Sequence, residues 1–94
     1  NLHTVISRFR KEFSDPDVPF LVGQMGIFVE QPWNAEKKLV DAAHRYLPNQ
    51  VSNTAFVSAK DLHHKGDEVH FDSPSYRELG RRYAQAYIKL ISTQ

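Results

Sequence analysis

Cysteine is absent from this sequence of 94 residues, and glycine and proline are scarce, at four and five residues. Without thiols the chain can form no disulfide framework, no thiolate nucleophile and no cysteine-based zinc site. The absence of cysteine fits an oxidising compartment as well as a reducing one. Because 40% of the residues are hydrophobic, the composition excludes a disordered or collagen-like protein. At this length it predicts one packed domain at most.

Neither an excess of charge nor a long apolar run is found. Lysine and arginine total 12 against 11 for aspartate and glutamate, giving a formal net charge of +1. So small a charge provides no field that would attract a phosphate backbone or an anionic membrane surface. No apolar stretch approaches the roughly 18–20 residues that cross a bilayer. We therefore expect neither nucleic acid nor membrane as a partner, and the localisation is left unknown.

The first segment of the chain has apolar residues at helical spacing, which predicts an amphipathic helix. These residues are Leu2, Val5, Ile6, Phe9 and Phe13. The polar segment 14–17, which contains a proline, ends the helix. The nearly continuous apolar run at residues 18–22 is typical of a parallel strand that is covered on both faces.

The middle of the chain predicts a second helix and a second strand. An irregular connection over residues 27–33 leads to a helix whose predicted N-cap is Asn34 and whose end is marked by Pro48. The segment at residues 51–58 is short and contains enough β-branched residues to form another strand. Residues 59–72 have almost no periodicity, and we expect a loop there.

The last predicted element is a long helix with Ser73 as its N-cap and Pro74 as its first helical residue. Its apolar face is formed by residues at helical spacing. These are Tyr76, Leu79, Tyr83, Ala86, Tyr87, Leu90 and Ile91. We expect the tyrosines on this face to be core residues. Arg77, Arg81 and Arg82 suggest a basic patch, but Glu78 lies between them, so a salt-bridged helix surface is favoured.

The predicted order is helix, strand, helix, strand, long loop, helix, which contains a βαβ unit with parallel strands. Two strands are too few to cover three amphipathic helices. We therefore expect an α/β fold in which residues 1–94 form the C-terminal part of a single three-layer α/β/α, flavodoxin-like domain. In such sheets ligands bind beyond the carboxyl ends of the strands, where the loop 59–72 begins.

This loop contains an Asp-x-x-His spacing at Asp67 and His70. A turn of that length brings the carboxylate against one ring nitrogen and leaves the other free, which is the arrangement of a general base near neutral pH. Glu68 is interpreted as a solvated charge. The alternative from spacing alone is a surface ion pair without a catalytic role.

Two longer motifs surround this pair. Residues 66–72, Gly-Asp-Glu-Val-His-Phe-Asp, and residues 76–84, Tyr-Arg-Glu-Leu-Gly-Arg-Arg-Tyr-Ala, resemble the closing segment of SGNH-type carbohydrate esterases of the sialate O-acetylesterase and acetylxylan esterase group. Residues 19–25 resemble an earlier strand of that family, which ends in Gly-Gln. The resemblance implies an SGNH hydrolase fold and acetylated carbohydrates as substrates, with no metal or organic cofactor.

By the same resemblance, His70 and Asp67 belong to a Ser-His-Asp triad, and Gln24 lies close to the substrate. The family's nucleophilic serine stands in a Gly-Gln-Ser segment of the N-terminal half, which we expect to be missing here. Residues 23–25, Gly-Gln-Met, are not that segment, because a thioether cannot attack an ester. Ser58 is the one serine worth testing, although a structural role is favoured.

Other readings compete with this one. Asp61, His63 and His64 could join the Asp67–His70 pair as metal ligands, but adjacent histidines point in opposite directions when extended, so a solvated loop is favoured. Trp33 is predicted either to stack on a sugar ring or to fill the helix–sheet interface. The rival function is a non-catalytic α/β module, in which Asp67 and His70 brace the loop and the sheet edge binds a partner.

Overall fold

Three helices and two short strands make up the computed structural model, which describes residues 2–67 and 70–92. In chain order the elements are α1 (Leu2–Glu12), β1 (Phe20–Gly23), α2 (Ala35–Gln50), β2 (Thr54–Val57) and α3 (Ser73–Ser92). The predicted order of elements is confirmed. No helix among the described residues combines the length and apolar character needed to span a membrane.

The two strands pair in parallel, so the predicted βαβ unit is confirmed. Phe20 lies opposite Thr54, and Gly23 lies opposite Val57. The carboxyl ends of both strands therefore meet at one edge, and the segment that follows β2 begins there. The fold is mixed α/β with a parallel sheet, as expected of part of an SGNH-type domain.

Element boundaries differ from the predicted ones at several points. Both strands are shorter than predicted. Helix α2 continues through Pro48 in its last turn, where proline removes only the one bond that an N–H at this position would make to the His44 carbonyl. Asn34 caps α2 as predicted, by accepting the N–H of Lys37 at 2.8 Å. The predicted cap of α3 is wrong by one residue: Asp72 accepts the N–H of Ser75 at 2.8 Å, so Ser73 is already helical.

The core lies between α1, α2 and one face of the sheet. Ile6, Val22 and Leu47 are buried and pack together. Burial of three such side chains contributes about 1.5–3 kcal/mol each relative to exposure. On the N-terminal side of the sheet, Arg10 donates to the carbonyl oxygens of Val18, Ser52 and Asn53. These bonds join α1 to the segments that precede both strands.

Much of the predicted apolar surface is exposed, and the prediction that the tyrosines of α3 are core residues is wrong for two of them. Phe9 of α1 and Phe13, which follows α1 directly, are 50% and 68% exposed. On α3 the predicted core residues Tyr76 and Tyr87 are 52% and 46% exposed. The physical reason is that a sheet of two strands is too narrow to cover the apolar faces of three helices. Tyr83 is half-buried.

Tyr83 packs directly on the sheet at Gly23. A Cβ atom at Gly23 would lie only 1.8 Å from the Tyr83 hydroxyl oxygen, so this close approach requires glycine. Burial raises the pKa of the Tyr83 phenol above its ordinary value of 10.0. The contact fixes α3 against β1 and thereby positions the segment that precedes α3.

Candidate active site

Part of the predicted loop folds into a hairpin that leads from β2 to α3. His64 and Phe71 form an antiparallel bridge. The Lys65 N–H donates to the His70 carbonyl at 2.9 Å, and the Asp72 N–H donates to the His63 carbonyl at 2.8 Å. Sequence reasoning missed this hairpin because its strands are too short to show an alternating pattern. Its outer end presents the Asp-x-x-His motif.

Asp67 and His70 are in direct contact, as their spacing predicts. Asp67 Oδ1 accepts the backbone N–H of His70 at 2.8 Å, and Asp67 Oδ2 lies 2.6 Å from His70 Nδ1. An ionised carboxylate only accepts, so Nδ1 carries the hydrogen and the neutral ring has a bare Nε2. The His70 side chain is 61% exposed and the Asp67 side chain 35%. Nε2 has no hydrogen-bond partner among the described residues. Glu68, interpreted above as a solvated charge, lies outside the described residues.

An aromatic cluster packs the hairpin against the connection after β1 and the start of α3. The ring of Phe28, in the connection after β1, meets the rings of His64 and Phe71 edge-on at centroid distances of 5.2 and 5.7 Å, and Phe71 meets Tyr76 at 5.4 Å. Phe28 is buried. The sequence analysis gave no role to Phe28, because neither strand nor helix periodicity marks the connection that carries it.

The ring nitrogens of His64 contact Gly66 and Glu30. Its Nδ1 accepts the N–H of Gly66 at 3.0 Å, and its Nε2 lies 3.3 Å from Glu30 Oε2. A backbone N–H of Glu30 and the neighbouring His64 hold the pKa of the Glu30 carboxyl below its usual 4.5. Glu30 lies in the same connection as Phe28, and sequence reasoning missed it because the pair is 34 positions apart in the chain.

The base of the hairpin is tied to the start of α3. The Ser75 hydroxyl oxygen accepts the His63 N–H at 2.7 Å, and Ser75 is only 3% exposed. Hydrogen bonds from the hydroxyl and N–H of Ser75 lower the pKa of the Asp72 carboxyl below its usual 3.8. The cap of α3 therefore also fixes where the hairpin ends.

Gln24 lies at the end of β1 and is 3% exposed. Its Oε1 accepts the Ala59 N–H at 2.8 Å, and the Ser58 hydroxyl lies 3.4 Å from the same oxygen. Its Nε2 donates to Asp41 Oδ1 at 3.1 Å. Gln24 thus links α2 to the point where the chain leaves β2. Asp41, which the sequence analysis missed, is buried and also binds Arg45 Nε at 2.7 Å. The substrate contact implied for Gln24 stays a prediction.

Trp33 is half-buried at the end of the connection between β1 and α2. Its Nε1 donates to the Gly26 carbonyl at 2.9 Å, which fixes the plane of the indole. The ring borders an apolar hollow of about 260 Å³, whose other walls include Phe28, Pro32 and the stem of Lys38. The indole is therefore held at a concave surface, while its contact with a sugar stays a prediction.

The predicted pairing of the arginines on α3 is confirmed for two of them. Glu78 accepts from Arg81 at 2.7 Å and from Arg82 at 3.1 Å, and these bonds lower the pKa of the Glu78 carboxyl to about 2. Arg82 also donates to the Ser58 carbonyl at 2.9 Å.

Within residues 2–67 and 70–92, no three histidine, aspartate or glutamate side chains are grouped as metal ligands.

Comparisons with known proteins agree with the resemblance described above. A search of curated proteins gives no significant match. The sequence profile of the family described as "carbohydrate esterase, sialic acid-specific acetylesterase" matches residues 1–89, nearly the whole chain. The chain therefore belongs to the carbohydrate esterase family of sialic acid-specific acetylesterases.

Proposed function

We propose that this chain supplies the histidine and aspartate of a Ser-His-Asp triad in an esterase that removes O-acetyl groups from carbohydrates. The contact of Asp67 Oδ2 with His70 Nδ1 at 2.6 Å is the observation that supports the proposal. Family membership supports the ester and carbohydrate classes. The pair stands on a hairpin beyond the carboxyl edge of the sheet, where α/β folds bind their ligands.

The geometry gives each group a role in acyl transfer. Nε2 of His70 removes the hydroxyl proton of a serine as the serine oxygen attacks the acetyl carbonyl. The protonated ring then gives that proton to the departing sugar oxygen. In the second half, Nε2 takes a proton from water, which attacks the acetyl-enzyme, and acetate leaves as the serine oxygen regains a proton. Asp67 stabilises the imidazolium in both halves.

The nucleophilic serine is proposed to come from a part of the same domain outside residues 1–94. None of the serines here stands in a nucleophile elbow of Gly-x-Ser-x-Gly type. Exposed apolar side chains support the proposal, because further strands and helices would cover them. They are Phe9 on α1, Phe13 just after α1, and Ile88 and Ile91 on α3. The 94-residue chain alone is expected to hydrolyse no acetyl ester.

Trp33 and Gln24 are the residues proposed to contribute to substrate binding. The fixed indole of Trp33 offers a flat apolar face at a hollow, which suits one face of a sugar ring. Burial of Gln24 favours an indirect contribution through the segment at residues 58–59, which it holds by hydrogen bonds. The chemistry as proposed needs no metal and no organic cofactor.

The test is His70→Ala in the full-length protein, with hydrolysis of an acetylated sugar as the readout. We expect kcat to fall by about 10³-fold or more with folding retained, because the base is removed. His63→Ala is the matched control: it removes an exposed imidazole from the same hairpin and should leave kcat unchanged. If His70→Ala alters only stability or partner binding, the rival non-catalytic module is correct. A large loss in His63→Ala would instead favour a metal site.

A further inference from the structure

A second imidazole in the hairpin has both ring nitrogens engaged. His64 Nδ1 accepts the Gly66 N–H at 3.0 Å, and His64 Nε2 faces Glu30 Oε2 at 3.3 Å. The side chain is only 21% exposed and packs edge-on against Phe28. It differs in this respect from His70, which projects from the end of the hairpin.

These contacts determine which nitrogen of His64 carries the hydrogen. A backbone N–H can only donate, so Nδ1 must present its lone pair, and the hydrogen of the neutral ring then resides on Nε2. That N–H faces the Glu30 carboxylate, whose Oε2 lies 3.3 Å from Nε2. The same carboxylate thus favours the tautomer that can bind Gly66.

Gly66 occupies the turn immediately before Asp67. Its φ of +116° is a conformation that side-chain-bearing residues rarely adopt, and a Cβ atom there would meet no other atom, so backbone conformation alone explains the glycine. Glycine gives the turn freedom to take other conformations. A hydrogen bond on the Gly66 N–H restricts that freedom one residue before the carboxylate that contacts His70.

We propose that His64 is a positioning residue for the acid–base pair: by accepting the Gly66 N–H, it holds the turn in the conformation that places the Asp67 carboxylate against His70 Nδ1. Glu30 acts through His64, by holding its ring and its tautomer from the connection after β1. The kinetic consequence rests on the proposed function, whereas the structural consequence for the tautomer of His70 does not.

Three substitutions of His64 distinguish the role of Nδ1 from the role of Nε2. His64→Asn keeps an acceptor near the position of Nδ1 and loses the reach to Glu30. His64→Gln keeps a donor near the position of Nε2 and loses the acceptor for Gly66. His64→Phe keeps the ring contact with Phe28 and loses the contacts with Gly66 and Glu30, so packing is tested separately.

The readout is the tautomer of His70, measured on the full-length protein by long-range ¹H–¹⁵N correlation of the imidazole nitrogens at about pH 8.5, two units above the ordinary histidine pKa of about 6.5. The wild type and His64→Asn should show mainly the Nδ1–H form that Asp67 selects. His64→Gln and His64→Phe should shift toward the Nε2–H form that free imidazole side chains prefer.

Equal tautomer populations in the wild type and all three variants would overturn the proposal. Loss of the Nδ1–H form in His64→Asn to the same extent as in His64→Gln would also overturn it, because Nδ1 would not be the atom responsible. Unfolding of all three variants, seen in their amide spectra, would show that His64 supports the whole fold rather than the turn, and would overturn it as well.

Kinetics on the full-length protein distinguish this inference from the proposed function. His64→Gln should lower kcat by on the order of 10- to 100-fold with little change in KM, since small misplacements of catalytic groups have effects of that size. If His70→Ala leaves kcat unchanged, the proposed function fails while the tautomer comparison still tests the positioning role. If His70→Ala abolishes turnover and His64→Gln changes neither kcat nor the tautomer, only the positioning role fails.

Discussion

The side-chain amide of Gln24 donates to Oδ1 of Asp41 at 3.1 Å, which joins the end of β1 to α2 beneath the candidate active site. Both residues are buried, at 3% and 6% exposure. The other end of the Gln24 amide accepts the N–H of Ala59, the first residue of the segment that leads to the hairpin. Asp41 therefore supports the hairpin indirectly, through Gln24 and Ala59.

Asp41→Ala should lower the free energy of unfolding by about 1–3 kcal/mol, because it leaves a buried amide N–H of Gln24 without its acceptor. Arg45→Ala is the matched control, since Arg45 is half exposed and its removal leaves Asp41 still bound to Gln24. We expect that change to cost about 1 kcal/mol or less. Urea denaturation of the full-length protein measures both losses, and equal losses would contradict the role given to the Gln24 contact.

Asp67→Asn in the full-length protein should lower kcat by on the order of 10⁴-fold with a small change in KM. The amide would present a donor to His70 Nδ1 and favour the wrong tautomer, with Nε2 protonated. Asp61→Asn is the control: it makes the same change in the same segment, and asparagine tolerates the positive φ of 66° found there. Steady-state hydrolysis of an acetylated sugar distinguishes the two, and a similar kcat in both variants would remove Asp67 from the mechanism.

Trp33→Ala in the full-length protein should raise KM for an acetylated sugar by about 2- to 10-fold, the effect of an aromatic contact worth roughly 0.5–1.5 kcal/mol. Trp33→Phe keeps a flat ring and loses the hydrogen bond to the Gly26 carbonyl, so its KM should lie between those of the wild type and Trp33→Ala. Unchanged KM in both variants, with lower thermal stability, would show that Trp33 only fills the interface.

Glu78 should make the stability of the chain sensitive to acid. Its pKa is depressed from 4.5 to about 2 by Arg81 and Arg82, so its stabilising contribution is fully present above about pH 4.5 and is lost as the pH falls through 2. The difference in unfolding free energy between the wild type and Glu78→Gln should therefore shrink over that window. Denaturation curves at several pH values test this, and a difference that grows on acidification would contradict it.

Salt at about 1 M should reduce the difference in unfolding free energy between the wild type and Glu78→Gln at pH 6, because the charged groups of Glu78, Arg81 and Arg82 are accessible to solvent.

Local signals allowed much of this fold to be predicted. The spacing of Leu2, Ile6 and Phe9 predicts α1, and the apolar run at residues 18–22 predicts a strand close to where β1 lies. The contact between Asp67 and His70 was predictable because both groups lie within one turn of chain. The Asp72 cap was missed by one residue, since aspartate and serine at adjacent positions are both good capping residues.

The order of elements and the position of the Asp-x-x-His motif follow from the amino-acid sequence, because each depends on residues that are neighbours in the chain. The parallel pairing of β1 and β2 follows from that order, since two strands joined through a helix pair in parallel. Tertiary packing was needed to show that Glu30 and Phe28 meet His64, that Gln24 meets Asp41 and Ala59, and that Phe13 and Tyr76 stay exposed. These contacts join segments that periodicity treats separately. Their formation depends on how connections of irregular backbone pack against one another, which no local preference specifies.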